Sequence, residues 1–326
     1  MRIVFMGSPE YAVCTLNALI ESNHQVVAVI TQPDAPRGRG HKLLPCPVKE
    51  FALSKGLNVL SFSRVSRDGI DAIREVEPDI IVTVAFGQIL SSELIEIPKF
   101  GVINAHASLL PKYRGASPIQ AAIAAGETET GVTIMKTEVG LDTGDILLVK
   151  KTEIGEEETA GEVAARLSDI SAEAVLAALE LIAKNKLMPK SQNNAEASIC
   201  TKLTKSDSII NWARKAKQIK CQVLSQNPSP ISRTVLKKQQ VKIYRARIAK
   251  GVENSGEKPG TVVAPTSAKL GVFVQCGNGV LEIQEAGFPS GKVLTGKQLV
   301  MGNKICLGDK FEIFPFESGV QENENE

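Results

Sequence analysis

The chain has 326 residues, 43% of them hydrophobic, and a net charge of +2. That is long enough for two domains with real cores, and the composition is that of an ordinary globular protein rather than a disordered or fibrous one. Six cysteines at 14, 46, 200, 221, 276 and 306 form no CxxC pair, which favours a reducing compartment over a secreted disulfide scaffold. With three histidines and scattered cysteines no local zinc ligand set forms, so no metal is expected. No apolar run reaches the ~20 residues of a membrane span, and a strand pattern begins almost at once, so no signal or transit peptide is expected. The expected setting is the cytoplasm, away from membranes, with the chain acting as a monomer.

Arg2 to Gly7 has the pattern of a buried parallel strand. Ser8-Pro9 opens a helix to about Glu21, with Ala12, Leu16, Leu19 and Ile20 on one side, and Val26 to Thr31 is the next strand. This βαβ start predicts an α/β, doubly wound, Rossmann-like sheet with ligands at the carboxyl ends of its strands. A single glycine follows the first strand, so the GxGxxG of a dinucleotide site is missing, and Gly287 to Lys292 does not have phosphate-loop spacing. Gln32 to Pro47 reads as a long loop whose prolines and glycines exclude a helix, and Arg37, Arg39 and Lys42 place positive charge on it. Either this is a solvated surface loop or it grips phosphates. Helices over Pro47 to Lys55 and Asp68 to Glu77 alternate with strands over Asn58 to Ser61 and Asp79 to Val84, and the loop Phe86-Gly87-Gln88-Ile89 follows the second strand.

The chemistry-bearing stretch comes next. Gly101-Val102-Ile103 starts an apolar run that continues through Asn104 and His106, two apart and therefore on one face of a strand. An amide and an imidazole at the end of a buried strand are costly unless bonded or used. Ser117 and Pro118 start a helix that Gly126 can close, Thr130 to Thr137 is a strand, and Gly140 to Asp145 is a turn leading into a strand from Ile146 to Val149. A strand pair could return Asp142 to His106. Such a trio, with no serine or cysteine nucleophile in an elbow, suits direct acyl transfer to an amine: the imidazole moves a proton, the carboxylate orients it, and the amide donates to a developing oxyanion. A buried histidine satisfied by local polar groups is the alternative.

Thr159 to Glu162 is a capping box ahead of a long helix ending near Asn185-Lys186. Met188 to Thr204 is polar and reads as a linker. Beyond it, Ala213 to Leu224 is a basic helix with an apolar seam at Ala216, Ile219 and Val223. Short strands follow over Val241 to Ile248, Thr261 to Val263, Val272 to Cys276, Val280 to Gln284 and Lys310 to Phe314, with Asn278-Gly279 as a hairpin signal. That pattern predicts a small OB-like β-barrel. From Lys202 to Lys250 there are 13 Lys and Arg against one acid, Asp207, which points to a polyanionic partner. The domains expected are 1–188 and 206–326, joined by 189–205.

The residues Asn104-x-His106, Ser108-Leu109-Leu110-Pro111, Arg114-Gly115 and Gly140-Leu141-Asp142-Thr143-Gly144-Asp145 resemble the signature of the folate-dependent formyltransferase family. The resemblance extends over nearly the whole chain and is closest to those members that act on methionyl initiator tRNA. It implies a Rossmann-like formyltransferase domain with an OB-like tRNA-binding domain, and 10-formyltetrahydrofolate as formyl donor. It implies catalytic roles for Asn104, His106 and Asp142, folate contacts from Ser108, Leu109, Leu110 and Pro111, and a pterin pocket lined by Phe86, Gly87, Gln88 and Ile89. It also makes Arg37, Arg39 and Lys42 a tRNA-gripping loop, with Arg39 as its key residue. One departure is Ser229, where the family often has an aromatic. A small-substrate formyltransferase or hydrolase, and a non-catalytic RNA-binding protein, remain open alternatives.

Overall fold

The computed structural model describes residues 1–37, 42–252, 254–263 and 271–314. The chain divides into two compact units. The first comprises Met1–Ala122, Thr128–Ile154 and Glu162–Lys202, and the second Ile123–Glu127, Gly155–Gly161 and the chain from Leu203 onward.

In the first unit β1 (Arg2–Gly7) is followed by a single 3₁₀ turn, α1 (Val13–Glu21) and β2 (Gln25–Thr31). The stretch expected to be an open loop is instead a hairpin, β3 (Ala35–Arg37) against β4 (Lys42–Leu44), with Pro36 opposite Leu43. The prolines that exclude a helix are tolerated on an isolated ribbon, where no central ladder needs their missing N–H. Next come α2 (Pro47–Ser54), β5 (Val59–Ser61), α3 (Val65–Asp68), α4 (Ile70–Glu75) and β6 (Ile80–Val84). The single helix expected from Asp68 to Glu77 is thus two short ones broken at Gly69. The chain continues with α5 (Ser92–Ile95), β7 (Val102–His106), β8 (Arg114–Gly115), α6 (Pro118–Ala125), β9 (Glu129–Lys136), β10 (Ile146–Glu153), the long α7 (Ala160–Ala183) and β11 (Ile199–Cys200).

Seven strands form one sheet in the order β10-β9-β7-β6-β1-β2-β5. The five from β7 to β5 run parallel, and β9 and β10 add an antiparallel edge. Strands β1 and β6 read as continuous apolar runs because both their faces are covered: Ile3 through Met6 and Ile80 through Val82 are all buried. The chain winds outward from β1 through β2 to β5, then returns to β6 and on to β7, so the switch point lies between β1 and β6. Gly7 sits there because a Cβ would come within 2.9 Å of the Val84 carbonyl oxygen. Tyr11 ties α7 to the start of the chain. Its hydroxyl meets Ser171 Oγ at 2.7 Å, and burial raises its pKa to about 12.

The second unit contains α8 (Ala216–Ser225), β12 (Ser232–Leu236), β13 (Gln239–Ile248), β14 (Val262–Val263), β15 (Val272–Gln275), β16 (Val280–Gly287), β17 (Val293–Thr295), α9 (Gly296–Met301) and β18 (Phe311–Glu312). The order β14-β15-β16-β13-β12-β18 is antiparallel throughout. Its two edges meet: Val262 N–H donates to Asp309 O at 2.7 Å and Phe311 N–H to Gly260 O at 2.8 Å. A nearly closed barrel results, which removes the free edges of a sheet. Its interior holds Ile219 and Val223 from α8 with Val241, Ile243, Val274 and Leu281. Trp212 stacks on Phe311 at 5.3 Å between ring centroids, and its indole N–H donates to Thr234 Oγ1.

Trp212 is the single tryptophan of the chain, so its fluorescence reports on this unit alone. Phe311→Ala is expected to destabilise the barrel by about 3–5 kcal/mol through the cavity it leaves. Urea titration followed by tryptophan emission measures this as a lowered midpoint.

Candidate active site

Asn104 and His106 lie on the last residues of β7, at the carboxyl end of the sheet. Register places Asn104 beside Thr83 of β6 and His106 beside Thr133 of β9. Both threonines act on the site. Thr83 Oγ1 lies 2.9 Å from Asn104 Oδ1 and 3.1 Å from Ile103 O, and shares its one proton between them. Accepting that bond with Oδ1 leaves Nδ2 as the end of the amide that can donate to a ligand. Thr133 Oγ1 donates to Ser108 O at 2.6 Å and accepts Leu110 N–H at 3.1 Å, fixing the chain just beyond the histidine.

His106 is 6% exposed. Its Nε2 lies 2.8 Å from the carbonyl oxygen of Tyr113. A carbonyl only accepts, so Nε2 must carry a proton in the neutral and charged ring alike. The nitrogen left to exchange a proton is Nδ1, which faces Asp142 Oδ2 at 3.6 Å. The same Oδ2 accepts the Gly115 N–H at 2.8 Å. Two residues adopt left-handed backbone to make this possible: Tyr113 at φ 61°, which turns its carbonyl onto the ring, and Asp142 at φ 53°. Aspartate tolerates that region better than most side chains. Gly115, at φ 115°, has no alternative, because a Cβ there would meet Cys200 O at 2.2 Å.

That clash reflects a pairing invisible from sequence. The polar segment expected to be a linker folds back along the site, and β11 pairs with β8 through Ile199–Arg114 and Cys200–Gly115. Ser198 Oγ accepts Tyr113 N–H at 2.9 Å. The buried Arg114 guanidinium rests on Gln192 Oε1 (3.0 and 2.8 Å) and Asn194 Oδ1 (2.9 Å). Cys200 Sγ lies 3.3 Å from Arg114 O. Burial raises its thiol pKa and the charge of Asp142 acts in the same direction, so it stays a thiol rather than a nucleophilic thiolate.

The residues expected to contact folate divide into two groups. Ser108 is fully buried and its hydroxyl donates to Lys112 O, Leu110 is 7% exposed, and Phe86 packs into the core beneath β6. Gln88 is spent internally, accepting Val65 N–H with Oε1 and donating to Phe62 O with Nε2, both at 2.7 Å. These side chains are buried or bonded within the protein. Gly87 and Ile89 are exposed, Ile89 at 91%, while Leu109 and Pro111 are half-buried. Of the basic residues, Arg37 and Lys42 pair across the hairpin, Lys42 is exposed, and Arg39 lies outside the described residues. Among the described residues no three His, Cys, Asp or Glu come together as a metal-binding group, and no helix is long and apolar enough to cross a membrane.

Residues 1–179 match the family described as formyl transferase, and residues 202–304 its C-terminal domain. Over 309 residues the chain is 44% identical to a methionyl-tRNA formyltransferase of Alkaliphilus metalliredigens, spanning 94% of this chain and 97% of that one. The chain belongs to the methionyl-tRNA formyltransferase family. Two solved structures share the fold. Methionyl-tRNA formyltransferase from Clostridium thermocellum aligns with TM-score 0.56 at 18% identity, over 77% of this chain and 95% of that one. HypX from Aquifex aeolicus in complex with tetrahydrofolic acid aligns with TM-score 0.60 at 17% identity, over 93% of this chain and 47% of that longer one.

The histidine geometry has a direct readout. In nitrogen-15 spectra the neutral His106 ring is expected to be the tautomer protonated at Nε2. Finding the Nδ1-protonated tautomer would exclude the Tyr113 carbonyl as its partner.

Proposed function

We propose that this chain transfers the formyl group of 10-formyltetrahydrofolate to the α-amine of methionyl initiator tRNA, giving formylmethionyl-tRNA for translation initiation. We place it in the cytoplasm as a monomer. The observation that carries the catalytic assignment is the 2.8 Å contact of His106 Nε2 with the Tyr113 carbonyl, which leaves Nδ1 as the ring nitrogen able to take a proton.

The amine of an aminoacyl ester is weakly basic, so enough is neutral near pH 7 to attack the formyl carbon directly. As the new C–N bond forms, Asn104 Nδ2 donates to the formyl oxygen while it becomes negative. His106 Nδ1 takes the proton the amine sheds, and Asp142 steadies the imidazolium. The bond from the formyl carbon to N10 of the folate then breaks, and His106 returns the proton to that nitrogen. Transfer is direct, with no covalent enzyme intermediate. Backbone groups at Gly87 and Ile89, with Leu109 and Pro111, would hold the donor against the wall formed by Phe86, Gln88, Ser108 and Leu110.

For the tRNA we assign Arg37 and Lys42 of the hairpin, Arg39 between them in the sequence, and the basic residues of 206–326. Some of the charge in that unit is already engaged: Arg247 pairs with Glu282 and Lys237 with Asp309. Lys215, Lys217, Lys238 and Lys242 are exposed and fit contacts to phosphates.

Supplied with radiolabelled formyl donor, the enzyme is expected to label methionyl-tRNA and to leave amino sugars and glycinamide unlabelled. Label on a small amine instead would transfer the assignment to a small-substrate formyltransferase. In the same assay Asn104→Ala should lower kcat by roughly 10²–10³, the usual loss of an oxyanion donor. Arg39→Ala is expected to raise KM for tRNA while leaving slow hydrolysis of the donor intact, and to reduce the salt dependence of tRNA binding by about one phosphate contact.

A further inference from the structure

Asp142 is held at both ends. Its carboxylate accepts Gly115 N–H, and its backbone carbonyl accepts Gln192 Nε2 at 2.8 Å. The second proton of that amide goes to Gly144 O, also at 2.8 Å. The amide oxygen of Gln192 meanwhile accepts two N–H groups of Arg114, whose backbone adjoins Gly115. All four hydrogen-bonding positions of one primary amide are therefore used, and they link the strand that grips the carboxylate to the turn that carries it.

We propose that Gln192 is a positioning residue for Asp142, setting the distance between the carboxylate and His106 Nδ1 by clamping the 142–144 turn against the Arg114 guanidinium. This rests on the catalytic assignment above. The turn needs such a clamp, because Asp142 has left-handed backbone and Leu141 beside it is 57% exposed, so burial of its neighbour does little to hold it. Gly144 is tightly confined too, since a Cβ there would meet Lys136 O at 1.8 Å. The clamp comes from a side chain 50 residues downstream of Asp142, outside the family signature.

Two variants of the full chain separate this role from a general loss of structure. Gln192→Ala removes the whole clamp. Gln192→Glu keeps an acceptor for Arg114 but faces the carbonyls of Asp142 and Gly144 with no donor. Both are expected to lower kcat for formyl transfer at least tenfold with KM for donor and tRNA within threefold of the parent, and Gln192→Glu to melt close to it. In single-turnover measurements on an Asp142→Ala background, adding Gln192→Glu should cost less than threefold, because the group it positions is gone. Unchanged kcat in folded Gln192→Glu, or the same factor lost with and without Asp142, overturns the proposal. Failure of the parent to formylate methionyl-tRNA is a different result, and bears on the assigned reaction instead.

Discussion

The site depends on one hydrogen bond, from His106 Nε2 to the carbonyl of Tyr113. It fixes the tautomer without a charged partner and leaves Nδ1 facing Asp142. It also explains why the chain between residues 107 and 115 is bound so firmly. A carbonyl that must point at a ring needs its own backbone held, and Thr133, Ser198 and the β8–β11 pairing hold it from three sides. The left-handed conformation of Tyr113 is sustained by those contacts.

Much of the fold was legible because its signals are local. Buried parallel strands read as apolar runs, Asn278-Gly279 marked a hairpin whose Gly279 has φ 85°, and Asn104 and His106 shared a face by the two-residue period alone. What escaped were elements whose cause lies elsewhere in the chain. The turn between β12 and β13 is Lys237-Lys238, both at positive φ (49° and 62°), where such a two-residue turn ordinarily shows Asn-Gly. Its strand Ser232–Leu236 therefore had no bracket. Strand β17 is three residues long, too short for alternation to register.

Asn104, His106 and Asp142 stood out in the sequence as a candidate trio, and the structure brings His106 and Asp142 together, but their supports were not legible. Thr83 and Thr133 look like ordinary strand threonines, and only register shows that they set the Asn104 amide and the 108–110 backbone. Gln192 and Asn194 lie in a stretch of turn-forming residues with no period, and such a stretch reads as solvated chain whether or not it is bound to something distant. Arg114 belonged to the recognised signature, yet the sequence could not show that its charge is carried by two neutral amides.

The brace on the Asp142 turn is also late in synthesis. Arg114 and Gln192 are 78 positions apart, so at ~5–20 residues per second the ribosome adds the second roughly 4–16 s after the first. Asn104, His106 and Asp142 are all in the chain before Gln192 is added, but without the amide that braces the Asp142 turn. An enzyme that serves the start of translation thus completes this brace only when its own translation has passed residue 192.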